Sequence, residues 1–88
     1  MFRLWRIFWV DATTIAMVEL SLRDIATDPD AWTSGVEHSA KSVVQWLSRI
    51  ERDWLVVFDN ANTDHTGVAE YMPQGNHGNI LFQLNSMQ

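Results

Sequence analysis

Asp53-Trp54-Leu55-Val56-Val57-Phe58-Asp59-Asn60 is the stretch that decides the fold. Five apolar residues run unbroken and end in an acid. A half-exposed strand would alternate, so a continuous run rich in Val and aromatics reads as a strand covered on both faces. Strands of that kind belong to parallel sheets, which present their C-terminal ends to ligands. Asp59 stands at that end. In nucleotide-hydrolysing enzymes an Asp so placed holds Mg²⁺, directly or through water.

On either side of this run, strands and helices alternate. Residues 6–10 form a second apolar run that also ends in an acid, Asp11. It reads as a buried strand with Ile7, Phe8, Trp9 and Val10 all inside. Thr13 and Thr14 then offer helix caps. Ile15, Val18, Leu22 and Ile25 fall on one face of a helix expected over about 14–26, with Glu19 and Arg23 paired on the other. Asp28-Pro29-Asp30 starts a turn or a short helical turn ending near Trp32.

Ser34-Gly35-Val36-Glu37 has the form of a capping box. The helix that follows carries its apolar stripe on Ala40, Val43, Val44, Leu47 and Ile50. It is expected to end near Arg52, with Glu37 and Lys41 as a charge pair. After the central strand, residues 60–67 are turn chemistry, and Val68, Tyr71 and Met72 suit one or two helical turns before Pro73. Gln74–Gly78 is a loop, and residues 79–84 read as a third strand. The order is strand, two helices, strand, short helix, strand. It predicts an α/β domain with a parallel sheet and right-handed crossovers.

Composition narrows the function classes. The chain has 88 residues, 47% apolar and 19% charged, so it fits one globular domain with a marginal core. Six basic residues, unclustered within a net charge of −5, exclude the footprint of a nucleic-acid binder. With no cysteine, disulfides and thiolate metal sites are excluded, and a cytoplasmic, intracellular location is expected. The run Ile7–Val10 is too short for a signal peptide or a membrane span. Five Trp imply large apolar surface for the core or an interface.

Other chemistries fail on spacing. Asn60-x-Asn62-x-Asp64 begins like a calcium loop, but His65 and Tyr71 occupy the glycine and closing-acid positions. His38, His65 and His77 are not at ligand spacing. No Gly-x-Ser-x-Gly elbow occurs. No Gly-x-x-x-x-Gly-Lys-[Ser/Thr] phosphate loop occurs either, and the Gly75/Gly78 loop lacks Lys and leads into a strand. Asn60 stands where NTPases often carry a second acid. An amide can position water but cannot take its proton, so no catalytic residue is expected.

Taken in order, several segments resemble a known family. These are Phe8-Trp9-Val10-Asp11-Ala12, the Thr13-Thr14 helix, Ser34-Gly35-Val36-Glu37, Gln45-Trp46-Leu47-Ser48-Arg49-Ile50, Asp53 to Ala61, and Tyr71 to Phe82. The set resembles the NB-ARC domain of fungal-type NLR-like (STAND-class) signalling NTPases. The resemblance implies a partial P-loop NTPase fold over residues 1–88. It holds the Walker B region without the Walker A strand or the C-terminal subdomains. Gln83-Leu84-Asn85-Ser86 departs from the family's sensor sequence.

It further implies the strand order first, central, third, with the Asp59 strand in the middle and the third strand's outer edge bare. Asp59 would be the Mg²⁺ ligand and, with Asn60, the remnant of the cofactor site. The family's cofactors are Mg²⁺ and ADP or ATP. This chain alone is expected to hold none tightly, with a dissociation constant for ADP·Mg no better than about 1 mM. The expected partner is a full-length NB-ARC protein or a second copy, reached through the open sheet edge.

Overall fold

A computed structural model describes residues 4–61 and 71–84. The described residues form three strands, three α-helices and a 3₁₀ turn that extends the first helix. The strands and α-helices are β1 (Arg6–Asp11), α1 (Ile15–Asp24), α2 (Pro29–Thr33), α3 (Ala40–Arg49), β2 (Trp54–Ala61) and β3 (Gly78–Leu84). The strands form one sheet in the order β1-β2-β3. Both pairings are parallel, with Phe8 beside Val56 and Val56 beside Ile80. This is the expected α/β class, with the Asp59 strand in the middle.

Alternation along parallel strands assigns each side chain to a face. Phe8, Val10, Trp54, Val56 and Phe58 point to the helix-covered face and are buried. Val18 and Leu22 of α1, with Val43, Trp46 and Leu47 of α3, join them in one core. Phe8 and Trp46 meet edge to face at 6.2 Å, and Phe58 stacks on Phe82 at 5.1 Å. Trp46 was not part of the stripe read from the sequence, because a wider apolar face was needed to reach it.

The opposite face has no helix among the described elements, which corrects the reading of the first strand. Ile7 and Trp9 are not inside: they are 49% and 61% exposed. β1 is an edge strand with a helical layer on one side only, so it alternates. Val57 on the central strand is nevertheless 1% exposed. Its cross-strand neighbours are Trp9 and Leu81.

Helix ends follow their caps. Thr14 accepts from the Met17 N–H at 3.1 Å and starts α1, which continues as a 3₁₀ turn over Ile25–Thr27. Ile15, in the first turn, is exposed rather than on the buried stripe. Glu19 makes no ion pair with Arg23 among the described residues; it accepts a hydrogen bond from the Tyr71 hydroxyl. Asp28 caps α2 through the Asp30 N–H, with Pro29 at the first helical position.

The capping-box expectation is overturned. Ser34 ends α2, its hydroxyl donating to the Asp30 carbonyl. Gly35 then takes φ +76°, with bonds from Gly35 N to Trp32 O and from Val36 N to Ala31 O. That is a left-handed helix stop, which needs a residue without a Cβ penalty. The α3 cap is Ser39, accepting from the Ser42 N–H at 3.2 Å. Glu37 therefore lies outside the helix and cannot pair with Lys41 in i,i+4 register. α3 also stops at Arg49, short of Arg52.

Gly78 lies beside Trp54 in register, and a Cβ there would sit 2.3 Å from the Trp54 indole. Gly78→Ala is therefore expected to cost about 1–3 kcal/mol by overpacking. The check is a urea unfolding curve against wild type.

Candidate functional site

Two acids end neighbouring strands on the same face. Asp11 closes β1, Asp59 lies near the end of β2, and the two are register partners. Chains in a sheet run about 4.8 Å apart, so the two residues are neighbours across the sheet. A backbone bond from Ala12 N to Asp59 O at 2.8 Å ties the two strand ends together. Directly after Asp59 the ladder with β3 is irregular. Asn60 there adopts φ +63°, a conformation that Asn tolerates better than most residues. The resulting bulge turns the Asn60 side chain back over the strand ends.

A hydrogen-bonded chain links the strand ends. Asn60 Nδ2 donates to Thr13 Oγ1 at 3.0 Å, and Thr13 Oγ1 donates to Asp11 Oδ1 at 2.6 Å. The Thr13 N–H donates to the same Asp11 oxygen at 3.0 Å. Ser21 Oγ accepts from the Asp11 N–H at 3.1 Å, anchoring this corner to α1. Trp9, Asp11, Thr13, Ser21, Asp59 and Asn60 line an open cleft of about 480 Å³.

The Thr13 hydroxyl and N–H hold the Asp11 carboxyl below its usual range. A depressed folded pKa stabilises the fold above the unfolded value and loses that contribution as pH falls through the folded one. Asp11→Asn is thus expected to lower the thermal midpoint slightly at neutral pH. The gap to wild type should close as pH drops below about 3.8, the ordinary value. Melts at pH 7 and below that point measure it.

Asp59 stands where the sequence placed it, on the central strand at its C-terminal end, and its side chain is exposed. Asn60 lines the same cleft with its amide nitrogen committed to Thr13. Asp11, Thr13 and Ser21 were not singled out from the sequence as site residues. The signal for Asp11 was present in the repeated pattern of an apolar run ending in an acid. Ser21 gave none, because only the packing of α1 turns it toward the strand end. Asn62, Asp64, His65 and Val68 lie outside the described residues.

The site's donors are all oxygens and an amide, a set that suits a hard cation such as Mg²⁺. Among the described residues no group of three or more His, Cys, Asp or Glu could hold a metal ion. Phosphate fits poorly, since no Lys or Arg lines the cleft and two carboxylates do. No described helix is long and apolar enough to cross a membrane. Comparison with protein-family models, with curated proteins and with solved structures returns no match.

Proposed function

We propose that the chain is the Walker B portion of an NB-ARC-like signalling NTPase domain, a partial P-loop NTPase fold acting inside the cell. One observation carries this reading: Asp59 lies near the C-terminal end of the central strand of a parallel sheet and lines a cleft shared with Asp11. In this reading Asp59 is a Mg²⁺ ligand, and Asp11 and the Thr13 hydroxyl are nearby oxygen donors. Mg²⁺ binds through one or two carboxylates and keeps several waters, so two acids suffice for a weak site. ADP or ATP is not held tightly, because affinity for phosphate comes from backbone N–H groups and a Lys that the cleft does not offer. Catalysis is not assigned: Asn60 cannot act as a base.

The test is paramagnetic broadening by Mn²⁺, a stand-in for Mg²⁺, in amide NMR spectra. Millimolar Mn²⁺ should broaden signals of Asp11, Thr13, Asp59 and Asn60 first, and Asp59→Asn should remove the selectivity. Uniform broadening over all acidic residues would overturn the metal site.

A second reading follows from the strand order, which leaves the outer edge of β3 unpaired among the described strands. Such an edge can take a strand from a full-length NB-ARC relative or from a second copy. Pairing there would slow hydrogen exchange at alternate β3 amides when the relative is added. Unchanged exchange counts against it.

A further inference from the structure

The helix-free sheet face carries an apolar band. Ile7 and Trp9 of β1, Leu55 and Val57 of β2, and Leu81 of β3 share it by register. Ile7, Trp9 and Leu81 are each about half exposed or more. The same face ends at the exposed Asp59 and the partly exposed Asp11. Ion pairs among the described residues go elsewhere, from Arg6 to Asp28 and Asp30 and from His77 to Asp53. Asn79 and Gln83 of β3 flank Leu81 on the same face, so the band is apolar along β1 and β2, mixed along β3, and negative at one end.

We propose that this face docks a basic amphipathic helix of another polypeptide, its apolar stripe against the exposed Ile7, Trp9 and Leu81 and its basic residues at Asp11 and Asp59. Charge chooses this occupant over a second copy. Three strands about 4.8 Å apart and six residues long present roughly 15 by 20 Å, or about 300 Å². A stable protein pair buries about 800 Å² on each partner, so this face alone supports a weak, transient contact. A helix is about 10 Å across, and about 13 residues span 20 Å, which matches the band. A second copy would also bring a net charge of −5 and another Asp11 and Asp59 against the first. Parallel sheets are stable with helices on both faces, and among the described residues only one side has them. The nucleotide reading is not needed for this inference, and Mn²⁺ broadening at Asp59 reports on it separately.

The probe is a blocked synthetic peptide of about 14 residues with leucines at i, i+3, i+4, i+7 and i+11 and lysines elsewhere. Two controls have the leucines scattered or the lysines replaced by glutamates. Calorimetric titration of the full chain should show saturable binding of the lysine peptide, weakened by added salt. Trp9→Asp and Leu81→Asp should each weaken it about tenfold or more, as loss of a central anchor does. Asp11→Asn with Asp59→Asn should weaken it less and flatten the salt dependence. Trp32→Asp should leave binding unchanged, because Trp32, 77% exposed in α2, lies off the sheet.

Urea midpoints of the variants report folding. Should an Asp variant not fold, the Trp9 indole N–H signal of the wild-type chain gives the answer by shifting on peptide addition. Equal binding of the three peptides would overturn the proposal, as would an unmoved Trp9 signal. A wild-type dimer in sedimentation equilibrium that Trp9→Asp dissociates would also overturn it, giving the face to a second copy.

Discussion

Phe58→Ala is expected to cost about 3–5 kcal/mol, the range for truncating a fully buried aromatic. Phe58 is completely enclosed on the central strand, on the helix-covered face, and stacks on Phe82 of β3. Its loss opens a cavity between sheet and helices and removes the ring that joins β2 to β3. Domains hold about 0.05–0.15 kcal/mol per residue, so a chain this long has about 4–13 kcal/mol in total. The variant should therefore lose most of its stability and in the lower range unfold outright. A urea curve followed by circular dichroism measures the change as a midpoint shift on the order of 2 M or more. A cost below about 1 kcal/mol would mean that this ring is not central to the core.

The second large effect compares neighbours. Val56 and Val57 are both buried, but for different reasons. Val56 lies under the helical layer. Val57 faces the opposite side, where no described helix lies, with Trp9 and Leu81 beside it in the adjacent strands. An Asp at 56 would be sealed beneath the helices with no charge partner, a cost of several kcal/mol that should abolish folding. An Asp at 57 can reach water once the two flanking side chains move apart. Val57→Asp should leave a cooperative unfolding transition, and Val56→Asp should not. Equal loss in both variants would contradict a sheet with a single helical layer.

The element order was legible in the sequence because local signals agreed with the fold. The apolar run 54–58 lies where the residue pattern puts it; of the two caps offered, Thr13 and Thr14, the second starts α1, and of the two readings of Asp28-Pro29-Asp30 the helical turn is the one formed. Three features were not legible. An apolar run ending in Asp cannot reveal whether one or two layers cover its strand, so Ile7 and Trp9 look buried from sequence alone. Ser34 and Ser39 are both competent caps. Tertiary closure of α2 by Gly35 made the first a helix end and left the second to start α3. The bulge at Asn60 lengthened β2 to Ala61, a consequence of backbone geometry that turn-forming residues alone do not specify.

In the candidate site, Asp59 was legible as an acid closing a buried strand. Asp11 carries the same pattern, yet its pairing with Asp59 depends on strand register. The Thr13 bridge depends on the bulge that brings Asn60 back over β1. Both are long-range facts that spacing along the chain does not encode.

The nucleotide reading turns on how this cleft treats a polyanion. Calorimetric titration of the chain with ADP and excess Mg²⁺ tests it most directly. The account predicts weak heat without saturation and a dissociation constant no tighter than about 1 mM, or about 4 kcal/mol of binding. A saturable isotherm in the micromolar range, lost in Asp59→Asn, would contradict it.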